Sequence, residues 1–223
     1  MIYIMSDIHG EFDLFCRMLQ HIKFIEGKDK IIIAGDLIDK GKRSCALLEL
    51  VSKIDGIIPI LGNHELDFLK EVRTLTRGCK SDADYDEALS KLATRFPDGQ
   101  LLTWELIEYL ESWDTIYEEE GFVVIHAGLP LDDAGFPLPL EDATPEQIVN
   151  DRRFKNAKYR GKTAFFGHTH TPNGRIVGYV RDSTCKADRL SDYSKIWLDC
   201  GAWHNGVLGA FCIDNLKCYY VCK

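Results

Sequence analysis

Five short apolar runs, each broken off by glycine or a polar residue, constrain this chain most. They are 1-MIYIM-5, 31-IIIAG-35, 57-IIPIL-61, 122-FVVIH-126 and 163-TAFFG-167. Their near-continuous hydrophobicity predicts strands buried on both faces. Between the first three lie segments of helical character. In 12-FDLFCRMLQHIKF-24 the residues Phe12, Phe15, Leu19 and Ile22 recur at helical spacing, and 44-SCALLELVSKI-54 has the same character. Strand–helix alternation of this kind predicts an α/β fold built on a βαβ core with covered faces. Residues 66–120, including 101-LLTWELIEYLESW-113, predict a helical excursion within a single domain spanning 1–223. The tail changes character. The segments 195-KIWLDCGAW-203, 207-VLGAFCID-214 and 217-KCYYV-221 predict successive antiparallel strands joined by Gly or Asn turns. The loop 129-LPLDDAGFPLPLEDATP-145 holds most of the prolines and is expected to be mobile or to face substrate.

Composition narrows the class. The chain has 223 residues and a formal charge of -8, which argues against nucleic acid as the main partner. The eight cysteines are scattered with no CxxC pair, so reduced thiols in a cytoplasmic protein are expected rather than a disulfide frame or a zinc site. The N-terminal run has no basic leader, and no segment reaches the apolar length of a membrane span. Neither secretion nor membrane insertion is expected.

Chemistry gathers at the strand ends. The first run leads into Asp7-Ile8-His9-Gly10, the second into Gly35-Asp36-Leu37-Ile38-Asp39-Lys40-Gly41, and the third into Gly62-Asn63-His64-Glu65. The fourth ends in His126-Ala127-Gly128 and the fifth in Gly167-His168-Thr169-His170. Open α/β sheets collect ligands at the carboxyl ends of their strands. Singly, each piece has an ordinary reading: a polar turn, a helix cap at Asn63, a satisfied core histidine at His126. Together they gather many ionisable groups, and burying those needs a cation or mutual pairing. A pair of divalent metals supplies that compensation.

The series DxHG, GDxxDxG, GNHE, HAGL and GHT resembles the calcineurin-like metallophosphoesterase superfamily. Within it the series looks like the phosphoprotein phosphatase family in its bacterial and phage serine/threonine form. The closing 197-WLDCGAWHNGVLGAF-211 is similar to that family's last strand-loop-strand. The resemblance implies a sandwich of two mixed sheets flanked by helices. It implies that Asp7 and His9 bind one metal, that Asp36 bridges, and that Asn63, His126 and His168 bind the other. It gives His64 the role of general acid, with Asp39 holding its tautomer and charge. Glu65 is left to support the site or cap the helix. Carboxylate, imidazole and amide ligands suit Mn, Fe or Zn, with Mn expected. Two such ions acidify a shared water for direct attack and clamp the phosphate.

Two positions depart from the family pattern. Lys40 stands where an arginine is usual and offers a point charge instead of a bidentate fork; Arg43 is a candidate to compensate. His170 stands where an apolar residue is usual, and in the nuclease and phosphodiesterase branches GHxH supplies a further imidazole, so His170 is a candidate metal ligand. The basic run 152-RRFKNAKYRGK-162 is either a solvated turn or the source of a phosphate-binding arginine, Arg152 or Arg153. Asp199, Trp203 and His204 are candidates for the rim. The leading expectation is hydrolysis of phosphoserine or phosphothreonine in proteins. A dinucleotide polyphosphate (diadenosine tetraphosphate) hydrolase is the alternative, and a phosphodiesterase is third. A binding scaffold that has lost catalysis is disfavoured, because every expected ligand is present.

Overall fold

The computed structural model describes residues 1–184 and 186–223. The first half alternates as predicted: β1 (Ile2–Met5), α1 (Phe12–Ile22), β2 (Lys30–Ile33), α2 (Ser44–Lys53) and β3 (Ile57–Pro59). Three helices follow, α3 (Asn63–Thr76), α4 (Asp82–Ala93) and α5 (Trp104–Glu111). The second half comprises β4 (Ile116–Glu118), β5 (Phe122–Ile125), α6 (Pro145–Asn150), β6 (Thr163–Phe166), β7 (Val177–Val180), β8 (Tyr193–Trp197), α7 (Ala202–Asn205), β9 (Val207–Cys212) and β10 (Lys217–Cys222).

Two five-stranded mixed sheets result, ordered β10-β9-β1-β2-β3 and β4-β5-β6-β8-β7. Strands β1, β2 and β3 run parallel in one, and β5, β6 and β8 run parallel in the other. Side chains alternate across a strand, and that alternation builds three cores. Ile4, Ile32, Phe122, Val124, Phe165, Ile196 and Phe211 meet between the sheets. Tyr3, Met5, Ile31 and Ile33 face outward onto α1, α2, α3 and α5. Val123, Ile125, Ala164, Phe166 and Trp197 face outward beneath α6 and Phe154. The apolar runs are continuous because both faces of each central strand are covered. The result is the expected sandwich of two mixed sheets between helical layers.

The tail departs from its expectation. β8 does not pair with β9; it lies parallel to β6 in the second sheet, while β9 and β10 form an antiparallel hairpin at the edge of the first. The chain therefore crosses from one sheet to the other within residues 198–206. β4 and β7, both edge strands, also lie outside the predicted set; β4 falls inside the segment read as a helical excursion. The seven described cysteines are unpaired, and Cys185 lies outside the described residues. Among the described residues, no helix is long and apolar enough to cross a membrane.

Candidate active site

The turns leaving β1, β2, β3, β5 and β6 converge, and the backbone there is held against local preference. Asp7 (φ 52°), His9 (50°), Asp36 (55°), Asp39 (66°), Lys40 (59°) and His168 (66°) all adopt the left-handed region without being glycine. Among the described residues only Lys23 and Leu216 also do so. Each such residue costs roughly 1–3 kcal/mol and persists only where its surroundings over-determine it. Glycine supplies room where side chains must crowd: a Cβ on Gly62 would collide with Asp36 Oδ1, and one on Gly167 with Asp7 Oδ2.

Glu65 locks this arrangement. It is fully buried in the first turn of α3. Its Oε2 accepts the backbone N–H groups of Asp36 and Gly62, each at 2.8 Å. Its Oε1 accepts those of Leu37 at 2.8 Å and Ile38 at 3.0 Å. One carboxylate thus ties the β2 turn to the β3–α3 junction.

Two backbone carbonyls set the histidine tautomers. His9 Nδ1 lies 3.0 Å from the Ile38 carbonyl, and His126 Nδ1 lies 2.8 Å from that of Ala34. A carbonyl only accepts, so both Nδ1 atoms donate and both Nε2 lone pairs point inward. His126 Nε2 lies 3.1 Å from Asn63 Oδ1, 3.1 Å from His168 Nδ1 and 3.3 Å from Asp36 Oδ1. His9 Nε2 lies 3.5 Å from Asp36 Oδ2. Burial pushes the His9 imidazole down to about 4. Burial, with the Arg152 guanidinium adding to it, takes the His168 imidazole down to about 3, so both rings are neutral lone-pair donors at neutral pH. Asp7 is buried and accepts the His168 backbone N–H at 3.0 Å.

Two groups emerge that share one carboxylate: His9, Asp36 and His64, and Asp36, His126 and His168, with donor atoms inside each within 4.8 Å of one another. Acceptor atoms that converge this closely repel unless positive charge lies among them. His168 Nε2 is buried without a partner. Imidazole, carboxylate and amide oxygen suit divalent cations of borderline softness, and Asp36 is the carboxylate that belongs to both groups. The residues present therefore fit a pair of divalent metals.

His64 stands at the mouth. Its Nδ1 lies 2.7 Å from Asp39 Oδ2, which leaves Nε2 facing the cleft. Behind Asp39 is a residue with no sequence signal, Arg95, just beyond α4. Its Nε donates to Asp39 Oδ1 at 2.9 Å, its second terminal nitrogen to Oδ2 at 2.5 Å, and its first to Glu71 at 2.9 Å. Burial alone would raise the Asp39 pKa, but the hydrogen bonds from Arg95 and His64 hold it at about 2. Burial works against the charged His64, yet Asp39 and Asp36 raise its pKa above the ordinary value. An acid on His64 is lost as pH rises through that raised pKa. Arg95→Met should therefore move the alkaline limb of the activity profile upward, because Asp39 is then left to His64 alone. The lost orientation should also lower kcat by about tenfold. An unchanged profile and rate would separate Arg95 from the His64–Asp39 pair.

The remaining candidates divide. Lys40 Nζ lies 2.8 Å from His9 Nε2, at the cluster. Arg152 is exposed, and its charge depresses both His168 and His170, which places it on the cluster side. Arg153 is turned away: it pairs with Asp151 at 2.7 Å and donates to the carbonyl of Leu131 at 2.6 Å. Arg43 is likewise engaged elsewhere, 3.1 Å from Asp13 and over the Phe12 ring. His170 joins neither group of converging donors. It stands at the rim, 45 % exposed, with Nε2 3.9 Å from Asp199 Oδ2, and stacks on His204 at 5.3 Å with planes 12° apart. The exposed Trp203 tilts onto His204 at 6.3 Å, extending the row of rings.

The chain is similar to proteins of known name. It is 34 % identical over 128 residues to the symmetrical bis(5'-nucleosyl)-tetraphosphatase of Psychromonas ingrahamii, covering 57 % of this chain and 44 % of that protein. It is 33 % identical over 134 residues to the enzyme of the same name from Vibrio campbellii, covering 59 % and 46 %. The matched stretch thus spans less than half the length of these curated relatives. A solved structure described as a candidate diadenosine tetraphosphatase superposes with a TM-score of 0.70 at 22 % identity, covering 99 % of this chain and 92 % of that one. These relatives overturn the leading expectation of a phosphoserine/phosphothreonine phosphatase, because what they are named for is a dinucleotide, the alternative reading. The motif series is shared by both kinds of enzyme and reports the metal cleft, not the leaving group. Residues 1–200 match the description of the calcineurin-like phosphoesterases, and with the cleft assembled as above, the chain belongs to that family.

Proposed function

We propose that the chain hydrolyses bis(5'-nucleosyl) tetraphosphates symmetrically, at the central phosphoanhydride, releasing two nucleoside diphosphates. The observation that carries the reading is the Trp203–His204–His170 row of rings beside the metal-fitting cluster, a surface on which a nucleobase can stack while its phosphates enter the cleft. The names of the relatives support the same substrate class. The diester reading loses its motive, since His170 lies outside the converging donors.

In this reading Asp7, His9, Asp36, Asn63, His126 and His168 would hold two divalent cations, with Mn first among Mn, Fe and Zn. When bound, such cations polarise the phosphoryl oxygens and lower the pKa of water. Lys40 and Arg152 neutralise the polyphosphate from the sides. His64, kept cationic by Asp39, points its Nε2 proton at the departing oxygen, and Arg95 fixes Asp39. We assign all of this to one catalytic unit spanning 1–223, with the motif series of the phosphoprotein phosphatases turned to a nucleotide, and place it in the cytoplasm, where unpaired thiols persist.

The test is to strip the protein of metal, return Mn, Zn or Fe, and supply bis(5'-adenosyl) tetraphosphate, a phosphoserine peptide and an aryl phosphodiester in parallel. Turnover of the tetraphosphate with ADP as the sole nucleotide product is expected. Formation of ATP and AMP, or faster turnover of either other substrate, would overturn the assignment.

A further inference from the structure

The basic run 152-RRFKNAKYRGK-162 is not used up by the cleft. Only Arg152 faces the cluster, and Arg153 is tied to Asp151. The rest of the run folds over the outer face of the second sheet and walls a concavity of about 770 Å³. Lys155, Lys158 and Arg160 line it from the run, with Arg181 from just past the end of β7 and Lys195 from β8. No carboxylate is among the lining residues, in a chain with 35 acidic and 27 basic side chains. Among the described residues, none of these five cations has a carboxylate partner within 4.0 Å. Chance scatter on a chain with more acids than bases does not gather cations this way.

The concavity is built rather than incidental. Lys195 is buried, at 4 % exposure, and its ammonium donates to the carbonyls of Phe154 at 3.0 Å, Lys155 at 2.9 Å and Ala157 at 2.7 Å. Those three bonds use every proton of the ammonium and pin the wall that carries Lys155, Lys158 and Arg160. Arg181 is partly engaged, donating to the carbonyls of Ser191 at 2.9 Å and Gly161 at 2.5 Å. Two cations therefore frame the hollow and add positive field, while three exposed or half-exposed ones keep free donors for a ligand. Tyr179, half-buried beside Lys195, and Tyr159 supply ring surface in the same hollow.

The hollow is separate from the cleft. It shares no residue with the two groups of converging donors. Lys195 precedes Asp199 by four positions, roughly 13 Å along an extended chain at about 3.3 Å per residue. Its volume lies in the usual range for small-ligand sites, about 300–1,000 Å³, and it is a concavity, not a track for a polymer. Exposed and half-exposed cations grouped for phosphate oxygens, with tyrosine surface for a ring, define the ligand by chemistry.

We propose that this hollow is a second, metal-independent binding site for a nucleoside di- or triphosphate, its phosphates against Lys155, Lys158 and Arg160 and its base against Tyr179 and Tyr159. The site stands whether or not the cleft cleaves dinucleotides.

Calorimetric titration of ADP into the intact protein in EDTA tests it. One-to-one binding is expected, weakened by about tenfold or more in the double variant Lys158→Glu/Arg160→Glu, whose metal-loaded phosphoesterase rate stays at the parent value. Inorganic tripolyphosphate is titrated as the second arm, and Tyr179→Leu should weaken ADP while leaving tripolyphosphate unchanged. Three results would overturn the proposal. One is no ADP binding without metal. Another is binding that survives the double charge reversal but disappears in His168→Ala, which would locate it in the cleft. The third is tripolyphosphate binding as tightly as ADP with no response to Tyr179→Leu, which would leave an anion patch without nucleoside recognition.

Discussion

Replacing His64 with asparagine should lower kcat on bis(5'-adenosyl) tetraphosphate by about a hundredfold, the lower end of what a positioned proton donor contributes. The lower end is expected because the leaving group is a phosphate, whose last ionisation lies near about 6; it departs with less help than an alkoxide. The hydrogen bond that His64 Nδ1 donates to Asp39, together with the nearby Asp36, keeps the ring charged, and that charge, not only the proton, faces the reacting phosphate. On a poorer leaving group, such as an alkyl phosphate monoester, the same variant should lose more, toward ten-thousandfold. Metal content should be unchanged, since His64 is oriented by Asp39 and is not among the residues assigned to the cations. Steady-state rates on both substrates, with metal measured on the same samples, decide it. A loss below threefold on both would remove His64 from the chemistry. Equal losses on the two substrates would mean that the ring acts by charge or position, not by proton transfer.

What the sequence made legible follows from how each part is held. The central strands could be read because both their faces are buried: Ile31 and Ile33 face one core and Ile32 the other, so no polar alternation interrupts the run. β7 could not be read because it lies at an edge with alternate residues exposed, and β4 because three residues carry too little pattern. The tail misled for a different reason. Apolar runs reveal strands but not which sheet takes them, and β8 enters beside β6, 31 residues earlier in the chain by the register Phe165 to Ile196. At the site, Asp7, Asp36 and the histidines were visible as residue types beside glycines. Arg95 was not, because it lies 56 positions from Asp39 in a segment without a motif, and only tertiary packing brings the pair together. The left-handed backbone at six site residues was also hidden, since aspartate, histidine and lysine do not announce it. The substrate was the least legible, because a cleft that grips phosphate is silent about what the phosphate carries; the rings of Trp203 and His204 at the rim speak to that, and a single tryptophan in a turn has an ordinary packing role as well.

Three of those six residues, Asp36, Asp39 and Lys40, lie in the turn after β2, and Glu65 is the group placed to hold that turn. Glu65→Gln should lower stability by about 3 kcal/mol or more, because it removes a buried charge from four backbone donors and turns an amide N–H₂ toward two of them. Whichever way the amide is flipped, two N–H groups lose their acceptor: those of Asp36 and Gly62, or those of Leu37 and Ile38. Burial lifts the Glu65 pKa to about 7, while the four donors require the ionised form. A folded-state pKa above the unfolded value means that protonation is favoured on folding. Holding the group ionised therefore costs stability above neutral pH, and the donors offset that cost. The parent's advantage over glutamine should thus be largest at acidic pH and should shrink as pH rises through about 7, where ionising the buried carboxyl costs the parent stability that glutamine never had. For a chain of this size the change corresponds to a fall in Tm of about 6–12 °C. Thermal unfolding should be followed in EDTA, so that weakened metal binding does not enter the comparison. A second measurement separates stability from site geometry: metal affinity should fall by about ten- to a hundredfold, since the backbone of Asp36 is one of the four donors and its side chain is common to both donor groups. A Tm within about 1 °C of the parent, with metal affinity intact, would mean that the β2 turn keeps its left-handed residues without Glu65, and the strain would then have to be held by the packing of Leu37 and Ile38 beneath it.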